Sequence, residues 1–167
     1  KEAKKRDLKP IIGCEVYTVN KNYMDKSPQN KNYNHLILLA ENNIGYKNLM
    51  KIVSLGYLNG FYYKPRVDKD VLRKYSEGLI CLSACLKGEV SEKLVNNNYA
   101  GAKKAAAELE DIFGKGNFFL EVQNHGMKED EIVIAGMKNI SEELHIPICA
   151  TNDVHYIKKD DWKNHKV

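Results

Sequence analysis

From residue 78 onward, short apolar runs alternate with longer segments that have helical periodicity. Each apolar run has about the length of a β-strand and lacks a regular polar alternation, which is typical of strands buried on both faces of a parallel sheet. The predicted order is strand 78–83, helix 88–95, a helix from Asn97 or Asn98 through Phe113, strand 117–122, helix 128–144 and strand 147–151. This alternation predicts an α/β fold, and such folds carry their chemistry in the loops after the carboxyl ends of the strands.

The first part of the chain contains two further predicted strands, at 10–19 and 35–40. Between them, residues 20–33 are polar and rich in Asn and Lys, and we expect them to form a flexible loop. The remaining elements are a predicted helix over 43–57, a loop with aromatic side chains over 60–68, and a short helix over 69–75 that Asp68 caps. With 167 residues, of which 43% are hydrophobic, the chain is expected to form a single domain over 1–167.

Charge and cysteine content exclude some classes of protein. The formal net charge of +4 is too small for the basic surface of a dedicated nucleic-acid binder, although it does not argue against DNA. Cys14, Cys81 and Cys149 lie in apolar runs, which favours reduced, buried thiols in a cytoplasmic protein. No run approaches the roughly 20 apolar residues of a membrane span, and no signal peptide is recognisable, so no membrane partner is expected. The chain opens with KEAKKRDLK and closes with DDWKNHKV, so we expect both ends to be boundaries within a longer protein.

Residues of metal-ligand type follow two of the predicted strands. Asp153 and His155 come directly after strand 147–151, and their side chains would point the same way in an extended backbone. This pair is a candidate half of a metal site, although a capped loop with a surface histidine would show the same pattern. Cys85 follows strand 78–83, where its thiolate could reach a metal, although a buried structural cysteine is the commoner case.

Glu15 and His35 are candidates whose position depends on how the first two strands pair. Glu15 has apolar neighbours, so it must pair, become protonated or bind a cation, unless it faces water on an edge strand. His35 opens its strand, which is the wrong end in a purely parallel sheet. If residues 20–33 reverse the chain as a hairpin, His35 lies beside the end of the strand that carries Glu15.

Three further residues are weaker candidates. His125, at the end of strand 117–122, could contact a metal ligand, although a structural role is commoner. Lys64 and Arg66, in the sequence YYKPR, could bind phosphate, the arginine in bidentate fashion and the lysine as a point charge. The tyrosines at 62 and 63 could stack on a base, although core packing is their commoner use.

Several of these residues lie in longer motifs. The motifs are KPIIGCEVY (9–17), HL (35–36), GYKNL (45–49), GFYYKPR (60–66), LSAC with the following GE (82–85 and 88–89), and ATNDVHY (150–156). In this order, and over nearly the whole chain, they resemble the PHP (polymerase and histidinol phosphatase) domain at the amino end of bacterial DNA polymerase III alpha subunits.

The resemblance implies a partial, distorted (β/α) barrel with mostly parallel strands and flanking helices. The family can hold up to three divalent metals, and some members have 3′–5′ exonuclease activity. Matched motif by motif, the family's ligand positions fall on Glu15, His35, Cys85, Asp153 and His155. Such a mixed set of donors suits Zn, Mn or Fe, which would polarise a phosphodiester and lower the pKa of a bound water.

One departure from the family pattern concerns the remaining ligands. The family begins with a His-x-His-type motif and an Asp-His-Gly motif, and neither is in this sequence. Because all five listed ligand positions are retained, the resemblance implies a competent or nearly competent site in a parent DNA-directed DNA polymerase, which acts on DNA and deoxynucleoside triphosphates with other replisome subunits. The chain alone is expected to be inactive and to bind metal weakly or not at all.

Two other functions remain open at this point. One is a metal-stabilised scaffold that docks a proofreading or other replisome subunit. The other is a stand-alone PHP phosphatase, against which the polymerase-type GYKNL and YYKPR motifs argue. A barrel without its first strands would also leave an edge exposed, through which a dimer could form.

Overall fold

The computed structural model describes residues 1–165 of the chain. The strands are β1 (Gly13–Val19), β2 (Asn34–Ala40), β3 (Phe61–Tyr62), β4 (Lys64–Asp68), β5 (Leu79–Leu82), β6 (Phe118–Val122) and β7 (Ile148–Ala150). The helices are α1 (Glu2–Lys5), α2 (Asn43–Leu58), α3 (Lys69–Lys74), α4 (Glu89–Val95), α5 (Tyr99–Phe113), α6 (Lys128–Leu144) and α7 (Trp162–His165). Two short 3-10 helices cover Pro28–Asn30 and Lys159–Asp161.

The seven described strands form one sheet in the order β3-β4-β1-β2-β5-β6-β7. Five of these strands run in the same direction, because β1 is parallel to β4, β5 to β6 and β6 to β7, while β2 is antiparallel to both β1 and β5. Strand β3 is antiparallel to β4. The predicted α/β class with mostly parallel strands and flanking helices is therefore confirmed, and an open sheet of this kind is compatible with part of a PHP-type barrel.

The pairing of β1 with β2 decides where His35 lies. The two strands are antiparallel, and the register places Tyr17 opposite His35. The backbone N–H of His35 also donates to the carbonyl of Lys87, just after β5, over 3.0 Å. The hairpin reversal expected of residues 20–33 is thus confirmed, and His35 lies at the edge of the sheet where β1 and β5 end.

Residues 60–68 differ from the loop that the sequence predicts. They form β3 and β4, and Tyr63 joins the two strands with a left-handed φ of 60°. Proline cannot donate to a ladder, and Pro65 lies in β4 opposite Phe61 of β3. It is tolerated on the other side because it precedes residues 66–68, which are the part of β4 that pairs with β1.

The core lies between the sheet and helices that pack against its strands. Helix α2 packs against β2 and β4, while α5 and α6 pack against β6. Fully buried side chains include Leu38, Ile52, Leu120, Met137 and Ile140. No helix within residues 1–165 combines the length and apolar character needed to cross a membrane.

Candidate metal site at the carboxyl ends of the strands

Three of the predicted ligands contact one another at this edge of the sheet. The Nδ1 atom of His35 lies 3.3 Å from Oε2 of Glu15 and 3.7 Å from Sγ of Cys85. Glu15 and His35 come from paired strands, and Glu15 is two residues before the partner of His35, so both side chains leave the same face of the sheet. An imidazole nitrogen, a carboxylate oxygen and a sulfur atom therefore converge.

Cys85 reaches this position through a tight turn after β5. Ala84 has a left-handed φ of 65°, and the N–H of Gly88 donates to the carbonyl of Cys85 over 2.9 Å. A Cβ atom at Gly88 would lie 2.0 Å from the carbonyl oxygen of Ser83, so only glycine fits where the turn closes. The turn thus brings the thiol back over the sheet edge beside His35.

Two tyrosine rings border His35. The ring of Tyr17 meets the imidazole edge-on at 5.2 Å between centroids, and the ring of Tyr33 lies parallel to it at 6.0 Å. Burial raises the pKa of Tyr17, and its neighbour Glu15 raises it further by charge and by a hydrogen bond. Sequence reasoning did not identify these rings, although the predicted hairpin places Tyr17 opposite His35 once the register is known.

The surroundings of Cys85 favour the neutral thiol over the thiolate. Burial is the main cause that raises the pKa of Cys85 above its usual value, and the carboxylates of Asp153 and Glu15 add to the effect. A hydrogen bond from the backbone of Lys87 acts in the opposite direction. A bound cation would offset the negative charge of these carboxylates, and it would therefore favour the thiolate at this position.

Asp153 and His155 form a second contact group, after β7. Oδ1 of Asp153 lies 3.4 Å from Nε2 of His155, and both side chains are partly exposed. The sequence predicts an extended backbone here, but Asp153 has a left-handed φ of 47°. The two side chains nevertheless meet, and the negative charge of Asp153 contributes to the raised pKa of Cys85 in the first group.

The five predicted ligands supply suitable donor atoms without forming a complete cage. In this conformation, residues 1–165 contain no group of three or more His, Cys, Asp and Glu side chains that could hold a metal ion. Carboxylate, imidazole and thiolate donors suit Zn, Mn and Fe, so the chemistry of the set fits the expected metals while its geometry is incomplete. Metal binding by these residues stays a prediction.

His125 and Lys64 lie close to these groups without belonging to them. Nε2 of His125 is 3.2 Å from the carbonyl oxygen of Asn152, so its contact is with the backbone beside Asp153. The ammonium of Lys64 lies 5.3 Å from the centroid of the Tyr17 ring. A positive charge therefore lies against the tyrosine ring that contacts His35.

Arg66 does not have the exposed position that a phosphate contact requires. Its side chain is fully buried, and its guanidinium donates to the backbone carbonyls of Gly60, Tyr23, Asp25 and Asn30. The guanidinium also lies 5.0 Å from the centroid of the Tyr62 ring, which is thereby engaged with Arg66. The phosphate contact expected of Arg66 is replaced by a structural one, because its donors are taken up by the protein's own backbone.

Comparisons with known proteins identify the family of this chain. The PHP domain model matches residues 1–125. The DNA polymerase III subunit alpha of Borreliella burgdorferi is 47% identical over 163 residues, which cover 96% of this chain and 14% of the relative. The corresponding subunits of Treponema pallidum and Chlamydia pneumoniae are 42% and 40% identical, over 92% and 100% of this chain, and the chain spans 13% and 15% of their lengths. The chain belongs to the PHP domain family, and over nearly its full length it is similar to DNA polymerase III alpha subunits.

Proposed function

We propose that this chain is the PHP region of a bacterial DNA polymerase III alpha subunit, a DNA-directed DNA polymerase of chromosome replication. The support is the similarity to such subunits over at least 92% of the chain in the three relatives compared. In that setting the protein acts in the cytoplasm on DNA and deoxynucleoside triphosphates, together with other replisome subunits.

Within that polymerase, the proposed role of this region is metal-dependent cleavage of a phosphodiester, of the 3′–5′ exonuclease type. Glu15, His35, Cys85, Asp153 and His155 would hold divalent Zn, Mn or Fe. The observation that carries the proposal is the contact of His35 Nδ1 with both Glu15 and Cys85, at 3.3 and 3.7 Å. A bound metal would supply Lewis-acid polarisation and a water of lowered pKa.

Other residues of the chain would prepare this site for a nucleic acid. The ring of Tyr17, which meets the imidazole of His35 edge-on, would restrict the orientation of that ligand. Lys64, next to that ring, would place a positive charge where the phosphate backbone approaches. The sequence lacks the His-x-His and Asp-His-Gly motifs, so we expect the 167-residue chain alone to bind divalent metal weakly and to trim no primer.

The test is the Asp153→Ala variant of the polymerase that contains this chain, assayed for removal of a mismatched 3′ nucleotide. The expected result is loss of the trimming that depends on the PHP region, together with loss of bound metal in elemental analysis. Asp160→Ala is the matched control, because Asp160 is an exposed aspartate in the 3-10 helix that follows the same segment. This control should keep both properties.

A scaffold is the second candidate, favoured by the incomplete geometry of the ligand set in residues 1–165. In that case the region would dock a proofreading or other replisome subunit, and any metal would stabilise the fold. Unchanged trimming in Asp153→Ala would rule out the catalytic proposal. Loss of subunit binding in the same variant would then favour the scaffold.

A further inference from the structure

Glu121 is a buried carboxylate in the strand that separates the two contact groups. It lies in β6 and is 5% exposed. Strand β6 pairs on one side with β5, which leads into the Cys85 turn, and on the other with β7, which leads into Asp153 and His155. A residue of β6 can therefore contact both segments that carry predicted ligands.

On the β7 side, Glu121 is hydrogen-bonded through its side chain. The hydroxyl of Thr151 donates to Oε1 of Glu121. Nε2 of Gln123 donates to the same Oε1 over 3.0 Å and to the Thr151 hydroxyl over 3.2 Å, which closes a triangle of three side chains. Thr151 lies two residues before Asp153, so the triangle anchors the segment where it leaves the sheet.

On the β5 side, the link runs through the backbone of Glu121. Its N–H donates to the hydroxyl of Ser83 over 2.8 Å, and the N–H of Ser83 donates to the carbonyl of Phe119 over 3.1 Å. Ser83 lies two residues before Cys85 and is 1% exposed. Both segments are thus tied to one short stretch of β6.

The second carboxylate oxygen of Glu121 makes this residue costly to bury, so packing alone does not explain why a glutamate occupies this position. Oε2 is buried without a hydrogen-bond partner among the described residues, and so is the hydroxyl of Ser91. Both residues line a small cavity next to Cys85. A buried carboxylate with an unpaired oxygen is costly, and an apolar side chain of similar size would avoid that cost.

We propose that Glu121 is a positioning residue that holds the Cys85 turn and the Asp153–His155 segment at a set distance from each other. The proposal rests on the metal-binding function proposed above, since its purpose is to keep the two groups of ligands within reach of one ion. Partners that orient metal ligands commonly change metal affinity about 10–100-fold when they are removed. The Thr151 hydroxyl is the part of this link that can be removed with least disturbance.

The test compares Thr151→Val, which keeps the shape and removes the hydroxyl, with Thr151→Ser, which keeps the hydroxyl, in the full-length polymerase subunit. Thr18→Val is the matched control, because Thr18 is a buried β-strand threonine whose hydroxyl donates to the carbonyl of Asn34 over 3.3 Å, away from β6. One readout is amide hydrogen exchange without metal at residues 84–88 and 152–156. The other is a Co²⁺ titration followed by the thiolate-to-cobalt absorption band, which a Cys85→Ser variant should lack.

Thr151→Val should exchange faster at 152–156 and should bind Co²⁺ about 10–100-fold more weakly. Residues 84–88, which are tied to the backbone of Glu121, should keep their exchange. Thr151→Ser and Thr18→Val should stay close to the unmodified protein. The proposal is wrong if Thr151→Val matches Thr18→Val in exchange. It is also wrong if the serine variant does not restore what the valine variant loses. An unmodified protein without a thiolate-to-cobalt band would refute the metal function, whereas the exchange comparison would still decide whether the bond between Thr151 and Glu121 anchors residues 152–156.

Discussion

Two irregular segments border the same sheet and are held in opposite ways. The segment between β1 and β2 (residues 20–33) packs against the buried guanidinium of Arg66. The guanidinium donates hydrogen bonds to three backbone carbonyls of this segment. The segment after β7 (residues 151–157) is anchored at its start, through the Thr151 hydroxyl and the carbonyl of Asn152. Farther along it, Val154 and Ile157 are 78% and 94% exposed.

The difference indicates which segment can respond to a ligand. Backbone groups that are bonded to a buried side chain open only when that side chain is released. Residues 23–30 should therefore resist opening, in contrast to the flexible loop that the composition of 20–33 predicts. Segments with exposed side chains and few buried contacts belong to the least stable part of a fold, where ligand-binding loops are commonly found. Asp153 and His155 lie in such an exposed segment, which would let these predicted metal ligands move when a metal binds.

The largest expected effect is that of Arg66→Met. The substitution leaves buried carbonyls without donors, so we expect the free energy of unfolding to fall by about 3–4 kcal/mol, measured in urea. Hydrogen exchange should accelerate throughout 20–33 and stay unchanged at 151–157. Arg73→Met is the control, because Arg73 is half exposed in its pair with Asp111 and should contribute about 0–1 kcal/mol. Equal stabilities of the two variants would contradict the comparison.

A smaller effect is expected of Asp68→Ala, because Asp68 joins residues 20–33 to helix α3. One oxygen of Asp68 accepts from the N–H of Val71 over 3.0 Å and caps the helix, and the other accepts from the N–H of Tyr23 over 3.1 Å. Loss of both should cost about 1–2 kcal/mol. Faster exchange should appear at the amide of Tyr23 as well as in the first turn of α3.

Asn98→Ala provides a matched cap without the second bond. Asn98 caps α5 through the N–H of Gly101 over 2.9 Å, and its removal should cost about 1 kcal/mol. Exchange in residues 20–33 should not change in this variant. If Asp68→Ala also leaves that exchange unchanged, the bond to Tyr23 contributes nothing to holding the segment.

The helices and most strands were predictable because their signals are local. Helix α6 has the predicted bounds of 128–144, and Asn98 and Asp68 cap helices as expected. The strand-end rule raised Cys85, and a hairpin over residues 20–33 would put His35 beside the end of the strand that carries Glu15. The structure has this hairpin and brings the three side chains into contact.

The features that were missed depend on partners distant in the chain. Strand β4 forms because β1 lies beside it. The segment KPRVD alone does not predict a strand, because it contains a proline. Arg66 was predicted to contact phosphate, and its burial is possible because carbonyls of residues 23–30 and of Gly60 accept its hydrogen bonds. The role of Glu121 depends in the same way on Ser83 and Thr151, which belong to other strands.

The smallest expected effect is a pH dependence of stability that arises in residues 20–33. It tests whether the charge of Asp25, an exposed carboxylate, stabilises this segment in addition to Arg66. The N–H and hydroxyl of Ser27 donate to the carboxylate of Asp25 at 2.9 and 3.0 Å, and these bonds lower the pKa of Asp25 below its usual value. A lowered pKa in the folded state stabilises the fold above the pKa of the unfolded chain, and this contribution is lost as the pH falls through the folded value. Asp25→Asn should therefore be slightly less stable than the unmodified protein near neutral pH, and the two unfolding curves should coincide once the pH lies below the folded-state pKa of Asp25. A gap that persists into acid would show that the carboxylate acts through its shape, which would leave Arg66 as the charged group that holds residues 20–33.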